Sequence, residues 1–221
     1  MALVPLGATW RQAWGDRGFR WRLLLALPAL GATLVVLGRF VRRVEERPGV
    51  VLPDPLLELV SPRDLTWLAF ALIYAAILSA LALLARRPRR LVQALQAYVV
   101  MAWVRMAVMW VTPLDPPPRM IPLDDPLVQS LGGASQALTR DLFFSGHTST
   151  LFLVFLAVPG RRTRPFFLAC TAAVGAAVIA QHVHYAVDVL AAPFFAYGSW
   201  RLAGRLWPRD LTNGESRSGD R

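Results

Sequence analysis

The chain of 221 residues has no lysine, one cysteine (Cys170) and three histidines. A single cysteine excludes an intramolecular disulfide and any CxxC metal or redox motif. Only 17% of the residues are charged, which argues against a nucleic-acid surface despite a formal net charge of +10. All 24 basic residues are arginine, whereas phosphate-binding tails usually mix the two cations in dense runs. Uniform arginine reads more simply as codon bias in a GC-rich genome and favours a bacterial source. The excess is apolar: with Gly counted and Tyr left out, roughly 60% of residues, against about 45–50% in soluble domains. That argues against an ordinary soluble globule and against disorder. The length suits one domain.

A bilayer is crossed by about 20 apolar residues, with a tolerated range of about 17–25. Six runs are read as spans: Leu23–Phe40, Leu65–Leu84, Leu91–Val111, Leu142–Pro159, Phe166–Gln181 and Tyr185–Leu202. The fourth and fifth are short, and the sixth starts with polar chemistry. The first is read as an uncleaved span, because Arg39, Arg42 and Arg43 follow it where a small-residue cleavage site would lie. The expected fold is all-α: a polytopic membrane protein with a six-transmembrane-helix bundle. Residues 1–22 form an N-terminal segment, 23–204 the membrane domain, and 205–221 a polar, disordered tail.

Arginines orient the spans by the positive-inside rule. The N-terminal segment, the turns 86–90 and 161–164, and the C-terminal segment carry 16 of them. The opposite side receives seven, in the loops 41–64 and 112–141 plus Arg39 at a span end. Both termini are therefore expected in the cytoplasm of a bacterial inner membrane, with the long Pro- and Gly-rich connection 113–140 outside. The first outer loop is an exception, since it opens with Arg42, Arg43 and Arg47.

The histidines, His147, His182 and His184, all lie at outer ends of spans. One histidine near an interface is an ordinary amphipathic anchor. Three on one side, with the intramembrane Asp188, point to a site. His184 and Asp188 are four apart and share a helix face. The carboxylate can fix one ring nitrogen and leave the other as nucleophile or base. The bland alternative is an Asp that pairs with an Arg from another helix. Ser145-Gly146-His147-Thr148 opens the fourth span, where free N–H groups and the helix dipole suit a phosphate. Ser145 and Thr148 are equally explained as helix caps. Arg105 stands alone inside a span and needs an anion: Asp188, Asp141 or a lipid phosphate. Metal binding is disfavoured, because His182 and His184 are two apart and turn to different helix faces.

From about residue 50 to 204 the chain resembles the sphingomyelin-synthase-related branch of the type 2 phosphatidic acid phosphatase superfamily. Four stretches carry the resemblance. Leu52-Pro53-Asp54 resembles the branch's P-L-P-D, with Val51 for the first Pro. Arg105-x-x-x-Met109-x-Val111-Thr112-x-Leu114 resembles its third-span motif, with Asp115 ahead of Pro116. Asp141-x-x-x-Ser145-Gly146-His147-Thr148 resembles G-D-x-x-x-S-G-H-T, with Arg140 for Gly. His182-x-His184-Tyr185-x-x-Asp188-Val189 resembles H-x-H-Y-T-x-D-V, with Ala186 for Thr. The general lipid phosphatases fit less well. Their K-x6-R-P motif needs a Lys, and their P-S-G-H and S-R-x5-H motifs meet Phe144, Ala177 and Val178 here.

The resemblance implies catalysis by His184, Asp188 and His147. His184 attacks phosphorus, Asp188 orients it, and His147 acts as acid and then base. It implies phosphate or substrate contacts from Arg105, Ser145, Gly146, Thr148, Asp141, His182 and Tyr185. The implied partners are a phospholipid, a lipid alcohol or water, and the bilayer, with no cofactor or metal. Two other readings compete: a lipid phosphate monoesterase, and a non-catalytic transporter or scaffold. The sequence does not identify the head group.

Overall fold

Polar residues stop and start the helices of this chain at defined points. In the computed structural model, which describes residues 6–125 and 138–206, eight helices follow. They are α1 (Leu6–Gly15), α2 (Arg17–Glu45), α3 (Pro55–Leu59), α4 (Thr66–Leu84), α5 (Pro88–Val111), α6 (Gly146–Ala157), α7 (Arg164–Ala180) and α8 (Ala186–Leu206). Asp16 caps α2 by accepting from the Gly18 N–H at 2.8 Å. Asp64 accepts from the Thr66 N–H at 2.9 Å in the turn ahead of α4, whose cap position is Leu65. Those bonds hold the Asp64 carboxyl below its usual range. Pro88 stands in the first turn of α5, where its missing N–H costs nothing.

The all-helical fold agrees with expectation. Three helices, α2, α4 and α5, are long and apolar enough to cross a membrane by length and composition. The other three expected spans differ. The α7 helix has 17 residues, and α8 is long enough, at 21, but less apolar. The α6 helix has only 12 residues; at about 1.5 Å per residue it reaches roughly 18 Å, short of a hydrocarbon core of about 30 Å. The cause is local. Ser145 caps the helix, and Leu142–Phe144 ahead of it form a turn instead of a helix. At the other end of the chain order, α2 begins at Arg17, ahead of the expected 22/23 boundary, and α8 runs to Leu206. The tail from residue 207 lies outside the described residues.

Burial is distributed as a lipid-facing bundle requires. Helix contacts are made by small residues: Ala69, Ala76, Ala97, Ala157, Ala192, Ala196 and Ala203 are buried almost completely. Small side chains let backbones approach closely where no hydrophobic effect drives helices together. Large apolar residues face outward, among them Trp67, Leu78, Leu190 and Phe194. One core joins α4, α6 and α7 through Phe70, Ile73, Leu151, Phe167 and Val174. A second joins α5, α6 and α8, where Phe144 stacks on Phe195 at 4.3 Å.

The residues singled out by sequence gather at one end of this bundle. There the C-terminus of α5 meets the loop from α2 in an isolated parallel bridge, Val50 with Leu114. A Cβ on Gly49 would lie 2.4 Å from the Leu114 carbonyl carbon, so only glycine permits this approach. Glu45, closing α2, accepts from the backbone N–H groups of Thr139 (3.0 Å) and Arg140 (2.9 Å). The arginines that broke the charge rule are accounted for locally. Arg42 and Arg43 lie in the last turn of α2, where the helix dipole favours cations. Arg47 lies over the Trp110 ring at 4.2 Å and donates to its carbonyl.

Candidate active site

Arg105 organises the turn that precedes α6. Its Nε donates to the Phe144 carbonyl at 2.9 Å and its Nη2 to the Asp141 carbonyl at 3.2 Å. Its Nη1 is 2.8 Å from Asp141 Oδ1. That contact is an ion pair without hydrogen-bond alignment, so Oδ1 has charge compensation but no aligned donor. Of the three anions open to Arg105 from sequence, the protein supplies Asp141. The guanidinium lies over Gly146, where a Cβ would meet its Cζ at 3.1 Å. Gly146 is thus small because Arg105 fills the space.

The α7–α8 junction is set by a helix stop. The His182 N–H bonds to the Ile179 carbonyl and the Val183 N–H to that of Val178, each at 2.9 Å. This is a Schellman pair, and it places His182 at φ +58°. Glycine usually takes this position; here a histidine does. Its Nε2 is 2.9 Å from the Val60 carbonyl, which ties the junction to the loop after α3. His182 does not line the cavity that His184 lines. Sequence placed it with the substrate; in the structure it is a strut.

Asp188 sits in the first turn of α8, wholly buried. Its Oδ2 accepts from the Tyr185 N–H at 3.1 Å, half of a capping box. The same oxygen is 3.4 Å from His184 Nδ1. An ionised carboxylate only accepts, so Nδ1 carries the proton and Nε2 is left with its lone pair. Helix capping and histidine orientation thus share one oxygen. The Asp188 carbonyl also accepts from the Ser145 N–H at 3.1 Å, joining the two motifs through backbone.

Two residues outside the histidine motifs fix this junction. Asp54 caps α3 through Oδ1, and its Oδ2 accepts from the Ala186 N–H of α8 at 2.6 Å. The Tyr185 hydroxyl donates to the Asp115 carbonyl at 2.8 Å and receives the Leu52 N–H at 3.2 Å. Asp115 is held in turn by Arg140 Nε at 2.6 Å, and that bond keeps its carboxyl below the usual carboxylate range. The stretch Leu52-Pro53-Asp54 is therefore a brace for α8.

A cavity of about 480 Å³ opens beside these elements. Of the sequence candidates, Arg105, Asp141, Gly146, His147 and His184 line it. Ser145, Thr148, His182, Tyr185 and Asp188 do not. Ser145 and Thr148 take the capping role: Ser145 Oγ is 3.5 Å from the Thr148 N–H and 3.1 Å from its Oγ1. His147 turns the edge of its ring to Phe70, with centroids 6.0 Å apart, and its Nδ1 is buried without a hydrogen bond. His184, Arg105, Asp141 and Asp125 are all within electrostatic reach of it. Two basic-type histidines and one arginine thus face a shared space, an arrangement that can bind a phosphoryl group and move a proton at it.

Sequence reasoning left out Asp124, Asp125 and Phe70, which also line the cavity, and it named Tyr98, another lining residue, only as an aromatic available to a head group. The acidic pair lies in the Pro-rich connection, and only its charge could have marked it. Tyr74 donates to Asp125 Oδ2 at 2.5 Å, anchoring that connection to α4. Among the described residues, no group of three His, Cys, Asp or Glu is placed to hold a metal.

No curated protein sequence matches the chain. Residues 140–204 match the family model described as PAP2 superfamily C-terminal, a stretch that contains Asp141, Ser145, His147, His184 and Asp188, and the match supports membership of the PAP2 superfamily.

Proposed function

We propose that the protein is a membrane-embedded lipid phosphotransferase that moves a phospho-head group through a phospho-histidine on His184. The superfamily suggests phosphatase or phosphotransferase activity on lipids. The observation that carries the finer reading is the His184–Asp188 contact at the cavity that also holds His147 and Arg105.

The chemistry runs in two balanced steps. In the first, His184 Nε2 forms a bond to phosphorus while the bond from phosphorus to the diacylglycerol oxygen breaks. Protonated His147 gives its proton to that departing oxygen. Asp188 faces the imidazolium-like ring that results and stabilises its charge. In the second step, His147 removes the proton of an acceptor hydroxyl as its oxygen attacks phosphorus. The N–P bond then breaks and restores His184. A lipid alcohol gives transfer; water gives a phospholipase-C-like hydrolysis. Arg105 contributes positive charge beside the phosphoryl group while it holds the 141–144 turn.

The membrane arrangement belongs to the same reading. Six spans are taken, with the short α6 completed by the residues 142–145 ahead of it; the termini are cytoplasmic, and the site faces the extracytoplasmic side. The arginine asymmetry supports this, since Arg89 and Arg90 at the far end bond to Asp16 and the Ala157 carbonyl.

The test uses purified protein in vesicles with head-group-labelled phosphatidylcholine or phosphatidylethanolamine and candidate acceptors. Transfer of label, or release of diacylglycerol, is expected and should be abolished by His184→Ala. Release of inorganic phosphate from phosphatidic acid, with neither of those products, would instead establish a monoesterase.

A further inference from the structure

We propose that residues 50–59 form a foot that seats in the outer leaflet of the bilayer, at the depth of the lipid phosphates, and fixes the depth of the α7–α8 junction. This rests on the membrane arrangement proposed above and not on the chemistry assigned to His184. The partner is the lipid surface itself.

The foot is apolar in a place where no span accounts for it. Residues 50–59 read Val-Val-Leu-Pro-Asp-Pro-Leu-Leu-Glu-Leu, so six of the ten are Val or Leu. Leu57 is buried with Leu114, Leu142 and Tyr185, and Leu52 packs partly against them. Val50, Val51, Leu56 and Leu59 are exposed, and Leu59, at 84%, is the most exposed large apolar side chain among the described residues. Leu56 and Leu59 are three apart and share a face of α3, while Glu58 stands off it. A helix of five residues is far too short to cross a bilayer. Both ends of the stretch join lipid-facing walls. Val50 is bridged to Leu114, just past the end of α5, where Trp110 and Val111 face outward. Asp54 takes the Ala186 N–H at the start of α8, where Val187 and Leu190 face outward. The exposed side chains of the foot therefore continue one apolar surface, and a contiguous apolar patch marks a contact. Aromatic rings such as that of Trp110 favour the bilayer boundary. Arg119, exposed, donates to the Leu57 carbonyl at 3.2 Å and brings a guanidinium suited to lipid phosphate.

The same stretch is fastened to the histidine junction. The Leu52 N–H donates to the Tyr185 hydroxyl at 3.2 Å, and the Ala186 N–H donates to Asp54 Oδ2 at 2.6 Å. His182 Nε2 is 2.9 Å from the Val60 carbonyl, and the Arg63 N–H donates to the Ala180 carbonyl at 2.9 Å. Four bonds thus tie residues 52–63 to residues 180–186, which hold His184 and lead into Asp188. A phospholipid presents its phosphate at the bilayer surface, so a histidine that reaches it must be held at that depth. The foot sets that depth from the lipid side, and its bonds carry the position to the junction.

The test places the fluorophore bimane on single new cysteines in the full chain; Cys170 is buried and does not compete for the label. The protein sits in phosphatidylcholine vesicles with a nitroxide either at the top of the lipid acyl chain or dissolved in the water. Bimane on Leu59→Cys should be quenched at least about threefold more by the lipid nitroxide than by the soluble one. The reverse ranking overturns the foot. Shielding from both overturns it as well, and would place protein, such as a second copy, over this surface. Bimane on Leu78→Cys, an outward position of α4, checks the spans. Lipid quenching there without quenching at Leu59 refutes the foot alone; none at either position sinks the membrane arrangement and the foot with it. Depth at the junction is read from bimane on Val187→Cys. Its lipid quenching should fall about twofold when Leu59→Glu is added and hold with Leu59→Phe. Unchanged quenching at that position in Leu59→Glu overturns the claim that the foot sets the depth. Leu59 has little protein packing to lose, so unfolding does not supply the effect. None of these readings needs turnover. Wild-type protein that seats its foot but transfers nothing would therefore sink the head-group reading and leave the foot standing.

Discussion

Asp54 joins parts of the chain 132 residues apart, and its removal has a calculable effect. In Asp54→Ala, α3 loses its cap to the Leu56 and Leu57 N–H groups, at 3.0 and 3.4 Å. An N-cap of this kind contributes about 1 kcal/mol. The bond from Ala186 N–H to Oδ2, at 2.6 Å, is lost as well. A hydrogen bond to a charged group contributes about 1.5–3 kcal/mol, and partial exposure favours the lower end. Together about 2–4 kcal/mol is at stake, which for a chain of this size moves Tm by roughly 5–15 °C. Asp54→Asn keeps one oxygen and should lose about half of that. Asp64→Ala is the control: it removes one purely local hydrogen bond ahead of α4 and should cost at most a few degrees. The assay is thermal unfolding in detergent, followed by activity at a temperature where every variant is folded. The first turn of α8 carries Asp188, so Asp54→Ala should also lower the turnover of folded protein. If Asp54→Ala melts within the range of Asp64→Ala and turns over normally, the brace between the two segments does not exist as described.

Other expectations follow from the same contacts. Asp188→Asn keeps an acceptor for the Tyr185 N–H but removes the charge facing His184; turnover should fall by about 10²–10⁴ while far-UV dichroism is unchanged. Gly49→Ala sets a Cβ against the Leu114 backbone and breaks the Val50–Leu114 bridge with its two 3.1 Å hydrogen bonds; a loss of about 1–3 kcal/mol should appear as a lowered Tm. Asp115, its carboxyl lowered by Arg140 in the folded state, adds stability that is present above the unfolded carboxylate pKa and lost as pH falls through the folded one. The Tm difference between wild type and Asp115→Asn should therefore be constant from neutrality down to about pH 4 and shrink as the pH falls further.

Apolar runs were legible because span length is dictated by bilayer thickness. Leu65–Leu84 and Leu91–Val111 fall within a few residues of α4 and α5. Their ends were less legible, since helices continue past the hydrocarbon when polar residues cap them, as Asp16 does for α2. The fourth run failed for the opposite reason. Leu142, Phe143 and Phe144 are apolar, yet Arg105 needs the Asp141 and Phe144 carbonyls, so the chain there cannot be helical. The His184–Asp188 contact was anticipated from an i, i+4 spacing, although His184 lies ahead of α8 and the capping turn, not a shared helix face, brings the two together. The roles of His182, Tyr185 and Asp54 were not. Each is fixed by a backbone partner or a φ value, and neither leaves a periodic trace in sequence. His182 shows this best: a left-handed residue at a helix stop is normally glycine, and nothing marks this histidine as the exception.

The central claim is that His184 carries the phosphoryl group. It is tested most directly by quenching the enzyme within milliseconds of mixing with a phospholipid labelled at phosphorus. Lipid alcohol acceptors are withheld from the vesicles to slow the second step. The account predicts a label that is stable in base, lost in acid, and located on His184 by mass spectrometry. A label on any other residue, or full turnover by His184→Ala, would contradict it.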